Sequence, residues 1–282
     1  MRTWLRAVFR AVFRFNFLGA AAGVFWLVIV VLPLYWIVIT SVRSREGFFD
    51  AQPLDLPSPA TLDNYRKVLD SDYVTYLTNS FVVTAVTVGL TLLVSVPAAH
   101  AIVHSTSRIL RLSFQLFLLG LAIPLQATII PVYLIISELG LYDTLWALVL
   151  PGIAFSVPLT IVILVNFLRD VPRELYEAMR IDGASHLKML RYLTLPLSRP
   201  AIITVMVYDA LNVWNGFLFP LILTQSPDKR VLPLGVWNFQ GEFNIDVPTV
   251  LAYVVLSTIP IIALYTVGRR YLVSGLTAGF GK

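Results

Sequence analysis

Along this chain, apolar residues come in runs of about 20, and charged residues gather in the segments between them. A helix needs roughly 20 such residues to cross the hydrocarbon core of a bilayer. Six spans follow from the pattern, at 17–40, 80–103, 112–136, 145–168, 201–224 and 249–268. The expected fold is an all-α membrane protein with six transmembrane helices. An N-terminal tail, first span and external loop should occupy 1–72. The transmembrane core should occupy 73–271, and a short tail 272–282. In the loop at 41–79, Pro53, Pro57 and Pro59 favour an extended first half. Thr61 suits the N-cap of a short helix after them.

One polar segment has a pattern of its own. Between the fourth and fifth spans, residues 169–199 read as a helix–turn–helix. Pro172 suits a first helical position, where a missing N–H is no loss. Glu174 and Glu177 lie in the early turns, where the helix dipole favours anions. Leu175, Ala178 and Met179 make an apolar stripe, with Arg173, Glu174, Glu177 and Arg180 on the other side. Asp182-Gly183 suits a helix C-terminus, because glycine tolerates the left-handed conformation found there. Ser185 is placed to cap a second helix carrying Leu187, Leu190 and Leu193, which Pro196 would end. Pattern alone leaves two readings open: a docking site for a soluble partner, or an amphipathic connector resting on lipid headgroups.

Composition excludes several classes. Only 13% of the 282 residues are charged and 57% are hydrophobic, whereas a soluble domain is about a quarter charged. The absence of cysteine removes disulfides, Cys-ligated zinc, iron–sulfur clusters and thiol nucleophiles. The net charge of +5 matters through its placement. With the N-terminus inside, the tails and inner loops hold fifteen of the 21 Lys and Arg, and the outer loops hold Arg43, Arg45, Arg66, Lys67, Lys229 and Arg230. The positive-inside rule then puts both termini and the 169–199 loop in the cytoplasm. Basic residues scattered over tails and loop ends do not suit nucleic-acid binding. A cleaved signal peptide competes for the N-terminus, but the first apolar run is too long for one and further spans follow.

The loop also resembles a known family. Glu177-Ala178-Met179, three residues, Gly183, nine residues, then Leu193-Thr194-Leu195-Pro196 is similar to the cytoplasmic signature of permease subunits of bacterial ATP-binding-cassette (ABC) importers. That signature reads Glu-Ala-Ala, three residues, Gly, nine residues, Ile-x-Leu-Pro. The spacing matches throughout, and Met179 and Leu193 depart while staying apolar. Ile181 to Ser185, Asn79-Ser80, Pro124 with Pro131, and Gly140 to Thr144 resemble the carbohydrate-uptake branch of maltose-transporter type. So do Trp214-Asn215-x-Phe217 with Pro220, and Gly275 to Gly279. Gly216 stands where relatives often have an acid. The resemblance implies that Glu177, Ala178, Asp182, Gly183, Ala184 and Ser185 couple the spans to an ATPase. It implies a homologous permease, two ATP-binding subunits and an extracytoplasmic sugar-binding protein as partners, in a bacterial inner membrane. ATP and magnesium would sit in the ATPase subunits, with no cofactor in this chain.

The remaining chemistry is sparse. No G-x-x-x-x-G-K-[ST] phosphate loop occurs, so energy from ATP would have to arrive from another subunit. His100 and His104 stand four apart, but no third metal ligand is evident. Asp209 lacks the second membrane aspartate that an intramembrane protease needs. Tyr208, Asp209, Asn212, Asn215 and Gly216 fall on one face of the fifth span. Intramembrane polar groups usually face a cavity or the bundle interior. That face suits a substrate path; the alternative is interhelical hydrogen bonding. Pro124 and Pro131 are expected to bend the third span. The rival to an ABC importer is an ion- or proton-coupled secondary transporter, which would typically show internal repeats around a midplane ion site.

Overall fold

The computed structural model describes residues 17–239 and 245–277, and no strand forms among them. Two compact units divide the chain, Met1–Asp70 with Phe239–Leu256, and Ser71–Asn238 with Ser257–Lys282. The predicted tail at 272–282 and the basic N-terminus lie largely outside the described residues.

The first unit holds α1 (Phe17–Ser41), α2 (Arg45–Asp50) and α3 (Asp63–Leu69). Only 6% of the apolar stretch of α1 is buried, so its outward-facing residues suit lipid rather than a core. The loop after it is not extended from its start, as the prolines had suggested. Ser44 caps α2 by accepting the Gly47 N–H at 3.1 Å, which gives the chain a helical turn ahead of Pro53. Thr61 Oγ1 accepts the Asp63 N–H at 3.1 Å, although α3 begins two residues later than the threonine. The loop folds on two buried polar residues. The Arg43 guanidinium donates to the carbonyls of Gln52 and Asp55. Asn64 Nδ2 donates to the carbonyls of Ser41 and Arg43 at 2.9 and 2.7 Å. Each satisfies backbone groups that no helix or strand would pair.

The second unit begins with α4 (Tyr73–His104), α5 (Arg108–Gly120), α6 (Ile129–Glu138) and α7 (Trp146–Arg169). It continues through α8 (Arg173–Ile181), α9 (His186–Met189), α10 (Leu195–Leu197), α11 (Arg199–Trp214), α12 (Leu218–Leu223) and α13 (Leu232–Gly235). The last helix, α14 (Val247–Thr277), starts in the first unit and ends in the second. The centre of the unit is α4 against α7. A Cβ on Gly152 would lie 2.9 Å from Thr87 Cγ2, so a larger residue there would force Thr87 or the two helices to shift. Small residues perform this role in lipid, where packing rather than water drives helices together. Val96, Ala99, Ile161, Leu164, Val165 and Leu168 extend the contact toward the α8 end.

Four helices among the described residues are long and apolar enough to span a bilayer: α1, α4, α7 and the first part of α14. The third predicted span is not one helix. Its two halves, Arg108–Gly120 and Leu125–Glu138, are bent by 101°. Pro124 is the cause, since it holds extended backbone at ψ 131° before the Leu125–Thr128 turn and cannot donate to a continuing helix. Pro131 adds no second bend, because it falls in the first turn of α6, where its N–H would be unpaired anyway. The fifth predicted span is likewise divided, into α11 and α12, at Asn215 to Phe217.

Several motif residues prove to be stitches between α4, the α6–α7 loop and the segment after α12. Asn79 Nδ2 donates to the carbonyls of Asp228 and Arg230, both at 2.8 Å, and Ser80 Oγ accepts the Leu232 N–H at 2.9 Å. Asp143, with φ 60°, accepts from the Gln225 and Ser226 amides at 2.8 and 2.9 Å and from the Ser226 hydroxyl. The Ser226 hydroxyl and the Gln225 and Ser226 amides hold its carboxyl below the ordinary 3.8. A carboxylate with a depressed folded pKa stabilises above its unfolded value and loses that contribution as pH falls through the folded one. Asp143→Asn keeps the tolerance for positive φ, removes the charge and turns one acceptor oxygen into an NH2 donor facing Ser226. It should lower the unfolding midpoint at pH 7. The gap to the unmodified protein should close as pH is taken down through 3.8 and below, read by thermal denaturation across a pH series.

Candidate functional site: the α8–α9 loop and the polar face of α11

The loop between α7 and α11 forms its turn in the way its residues imply. Helix α8 ends at Asp182, and Gly183 follows at φ 73°. The Ala184 N–H reaches the Met179 carbonyl at 2.9 Å, and the Gly183 N–H reaches that of Arg180 at 3.0 Å. This pair of bonds is a Schellman motif, which satisfies carbonyls that a helix end would otherwise leave unpaired. Ser185 Oγ then accepts the Lys188 N–H at 3.4 Å and starts α9.

One expectation for this loop needs correction. The second helix does not stop at Pro196. It passes through a π-helical turn at Leu190–Thr194 into α10, which contains Pro196, and the chain bends at Ser198 instead. The wider turn accommodates a proline that cannot donate backward. The apolar stripe faces mostly away from the protein, with Met179 half-buried, as both readings of the loop require. Leu175 and Ala178 are exposed, Ile181 is 86% exposed and Leu187 73% exposed. The polar side, with Arg173, Glu177 and Arg180, lines a cavity against the ends of α4 and α7. Leu175, Ala178 and Ile181 therefore face outward, while Tyr176 is buried and Met179 half-buried.

What holds α8 in place is Tyr176, only 3% exposed. Its ring lies 3.8 Å, centroid to centroid, from that of His104, and its hydroxyl is 3.1 Å from Thr194 Oγ1. The same Oγ1 is 2.8 Å from His100 Nδ1. Thr194, fully buried, joins α4, α8 and the π-turn at one atom. Burial pushes the Tyr176 phenol above its ordinary 10.0 against the opposing Thr194 hydrogen bond, so it stays neutral. His186 also approaches, 6.1 Å from His100 between ring centroids. All three histidines of the chain thus gather at the base of the loop. No group of three His, Asp or Glu among the described residues is arranged to hold a metal. The sequence signal for this anchor was a lone tyrosine on the charged side of α8, aligned with the His100–His104 pair.

The candidate path residues of α11 separate into different environments. Asp209 is buried, and the Thr160 hydroxyl of α7 donates to its Oδ2 at 2.7 Å. Asn212 lines a cavity of about 130 Å³ with Ser80, Ser156, Phe155, Gly216 and Phe219. Tyr208 and Asn215 are exposed. The amides of Asn212 and Asn215 donate to the Tyr208 and Leu211 carbonyls, one turn back on their own helix, at 2.9 and 2.7 Å. Asp209→Ala should destabilise by about 1–3 kcal/mol, the cost of leaving a buried hydroxyl unpaired, whereas Asp209→Asn keeps an acceptor for Thr160. A thermal shift in Asp209→Ala of the purified protein, with little in Asp209→Asn, is the expected result.

A helical bundle with a broken third span, a divided fifth span and an outward-facing loop between α7 and α11 invites comparison with transport proteins. The model of the family described as binding-protein-dependent transport system inner membrane component matches residues 91–277. The chain belongs to this family. The permease is 37% identical to an ABC transporter permease, ORF2, of Caldicellulosiruptor sp. (strain Rt8B.4), over 91% of its own length and 94% of the relative's. It is 33% identical to the trehalose/maltose transport system permease protein MalG of Thermococcus litoralis, over 89% and 91% of the two chains. Its fold matches that of a bacterial ABC transporter involved in the import of the acidic polysaccharide alginate, with a TM-score of 0.83, 24% identity, and coverage of 93% and 98%. The permease is accordingly an integral membrane transport component and not an enzyme.

Proposed function

We propose that this permease is a membrane subunit of an ATP-driven sugar importer. It would pair with a homologous permease, two ATPase subunits and an extracytoplasmic sugar-binding protein. The observation that carries the coupling role is the Gly183 turn, which leaves Leu175, Ala178 and Ile181 of α8 and Leu187 of α9 exposed beside it, with α8 anchored from within. An apolar face turned away from its own chain suits a groove on a soluble partner. Glu177, Ala178, Asp182, Gly183, Ala184 and Ser185 would be the contact, with ATP and magnesium held by that partner. Charge asymmetry favours six spans with both termini in the cytoplasm. Relatives named for trehalose, maltose and alginate support a saccharide cargo. The cavity at Asn212, about 130 Å³, is below the 300–1,000 Å³ usual for a ligand pocket. The cargo site would therefore need the second permease to complete it, with Tyr208, Asn212 and Asn215 as this chain's share.

Transport assays on the reconstituted importer test the reading. Uptake should depend on ATP and ignore proton uncouplers; collapse of uptake by an uncoupler at constant ATP would favour a secondary transporter. A thiol reagent should reach Ser185→Cys from the cytoplasmic side only.

A further inference from the structure

The cavity behind α8 gathers three arginines and two hydroxyls that are not among the coupling residues. It measures about 550 Å³ and lies between α8 and the adjoining ends of α4 and α7. Arg169 enters from the end of α7, and Arg173 and Arg180 from the inner face of α8, on the side opposite Leu175 and Ala178. Ser105 and Thr106, in the turn after α4, line the same space. One carboxylate, Glu177, is also there. None of the three guanidiniums lies within ion-pair distance of an acid among the described residues. Arg169 stacks over the Phe114 ring at 5.0 Å, which orients its guanidinium. Arg180 Nη2 is 3.5 Å from the His104 carbonyl.

A cytoplasmic loop rich in arginine is ordinary for a membrane protein. Three guanidiniums from two helices meeting two hydroxyls in one cavity is not required by that rule. Guanidinium forks match the tetrahedral oxygens of a phosphate better than any other protein group, since each donates two parallel hydrogen bonds. We propose that this cavity binds a phosphate group, as an inorganic anion or as the headgroup of an anionic phospholipid, through Arg169, Arg173, Arg180, Ser105 and Thr106. Basic pockets at the cytoplasmic ends of spans are suited to headgroups, and the open side of the cavity admits a free anion as well. An occupant would bridge α8 to α4 and α7, the same elements that Tyr176 ties together, and would brace the loop against its own bundle.

The test uses the assembled transporter in nanodiscs with Thr106→Cys. The chain has no other cysteine, so labelling of this chain reports the cavity alone. In phosphatidylcholine nanodiscs at constant ionic strength, inorganic phosphate should slow labelling in a saturable way if the free anion is the ligand. In phosphatidylglycerol nanodiscs, labelling should already be slow without added phosphate if the headgroup is. Either result supports the site and identifies the source. Combining Arg169→Gln with Arg180→Gln should raise the half-protecting phosphate concentration at least tenfold, or restore fast labelling in phosphatidylglycerol. Arg180→Lys keeps the charge but loses the fork, and should weaken protection severalfold; it decides the matter if the double variant fails to assemble. Labelling indifferent to both probes, or protection undiminished in the arginine variants, would overturn the proposal. The site does not depend on the coupling role, because protection is read without transport.

Discussion

Gly183→Asp should leave the transporter assembled and its ATPase turning over, while uptake falls by more than tenfold. The residue sits at φ 73°, where a side chain costs about 1 kcal/mol or slightly more. Beyond the adjoining residues of the chain, nothing lies within 4 Å of the position a Cβ would take. The cost within the permease is therefore backbone strain without a clash, too small to unfold a bundle of this size. The new carboxylate would instead project outward beside Ile181 and Leu187, into the space a partner's groove would occupy. Gly183→Ala carries the same strain without the charge and should reduce uptake less. Measuring uptake and ATP hydrolysis on the same reconstituted sample separates the outcomes. Normal uptake by an assembled Gly183→Asp transporter would remove the coupling role from this turn.

The second large effect lies at the anchor of the same helix. Tyr176→Ala should cost about 3–5 kcal/mol, the range for removing a buried aromatic, and should loosen α8 from α4. The loss has two parts: the ring against His104 and the hydroxyl at Thr194. Tyr176→Phe removes only the second, at roughly 1 kcal/mol. It also leaves Thr194 its contact with His100. Thermal denaturation should rank the three proteins in that order. Limited proteolysis at Arg173 and Arg180 should accelerate in Tyr176→Ala and scarcely change in Tyr176→Phe. Equal stability of all three would mean that α8 is held elsewhere.

These two residues show unequal legibility. The capping of α8 could be read directly, because a Schellman turn is local and a glycine after a short amphipathic helix specifies it. Ser185 belongs to the same class of signal. The direction in which α8 faces could not be read, because periodicity finds a stripe but not which stripe meets the protein. Here Leu175, Ala178 and Ile181 face outward, Tyr176 is buried, and Arg173, Glu177 and Arg180 line an open cavity from exposed positions. The fifth span gives a parallel case. Four polar positions with Gly216 on one helical face suited either a path lining or interhelical bonding, and the two proved to coexist: Asp209 bonds to Thr160 while Asn212 meets a cavity. Neighbours decide such assignments, and neighbours are distant in sequence.

By itself, the sequence determined the class, the approximate apolar spans, the charge asymmetry and the local geometry of the Glu177–Ser185 turn. Each of those follows from bilayer thickness, from desolvation of charge or from hydrogen bonding within a few residues. Only the tertiary structure decided that Gly152 admits Thr87, that Tyr176 meets His104 and Thr194, and that three arginines converge on one cavity. Those contacts join residues far apart in the chain, and their energies exist only once α4, α7 and α8 have packed.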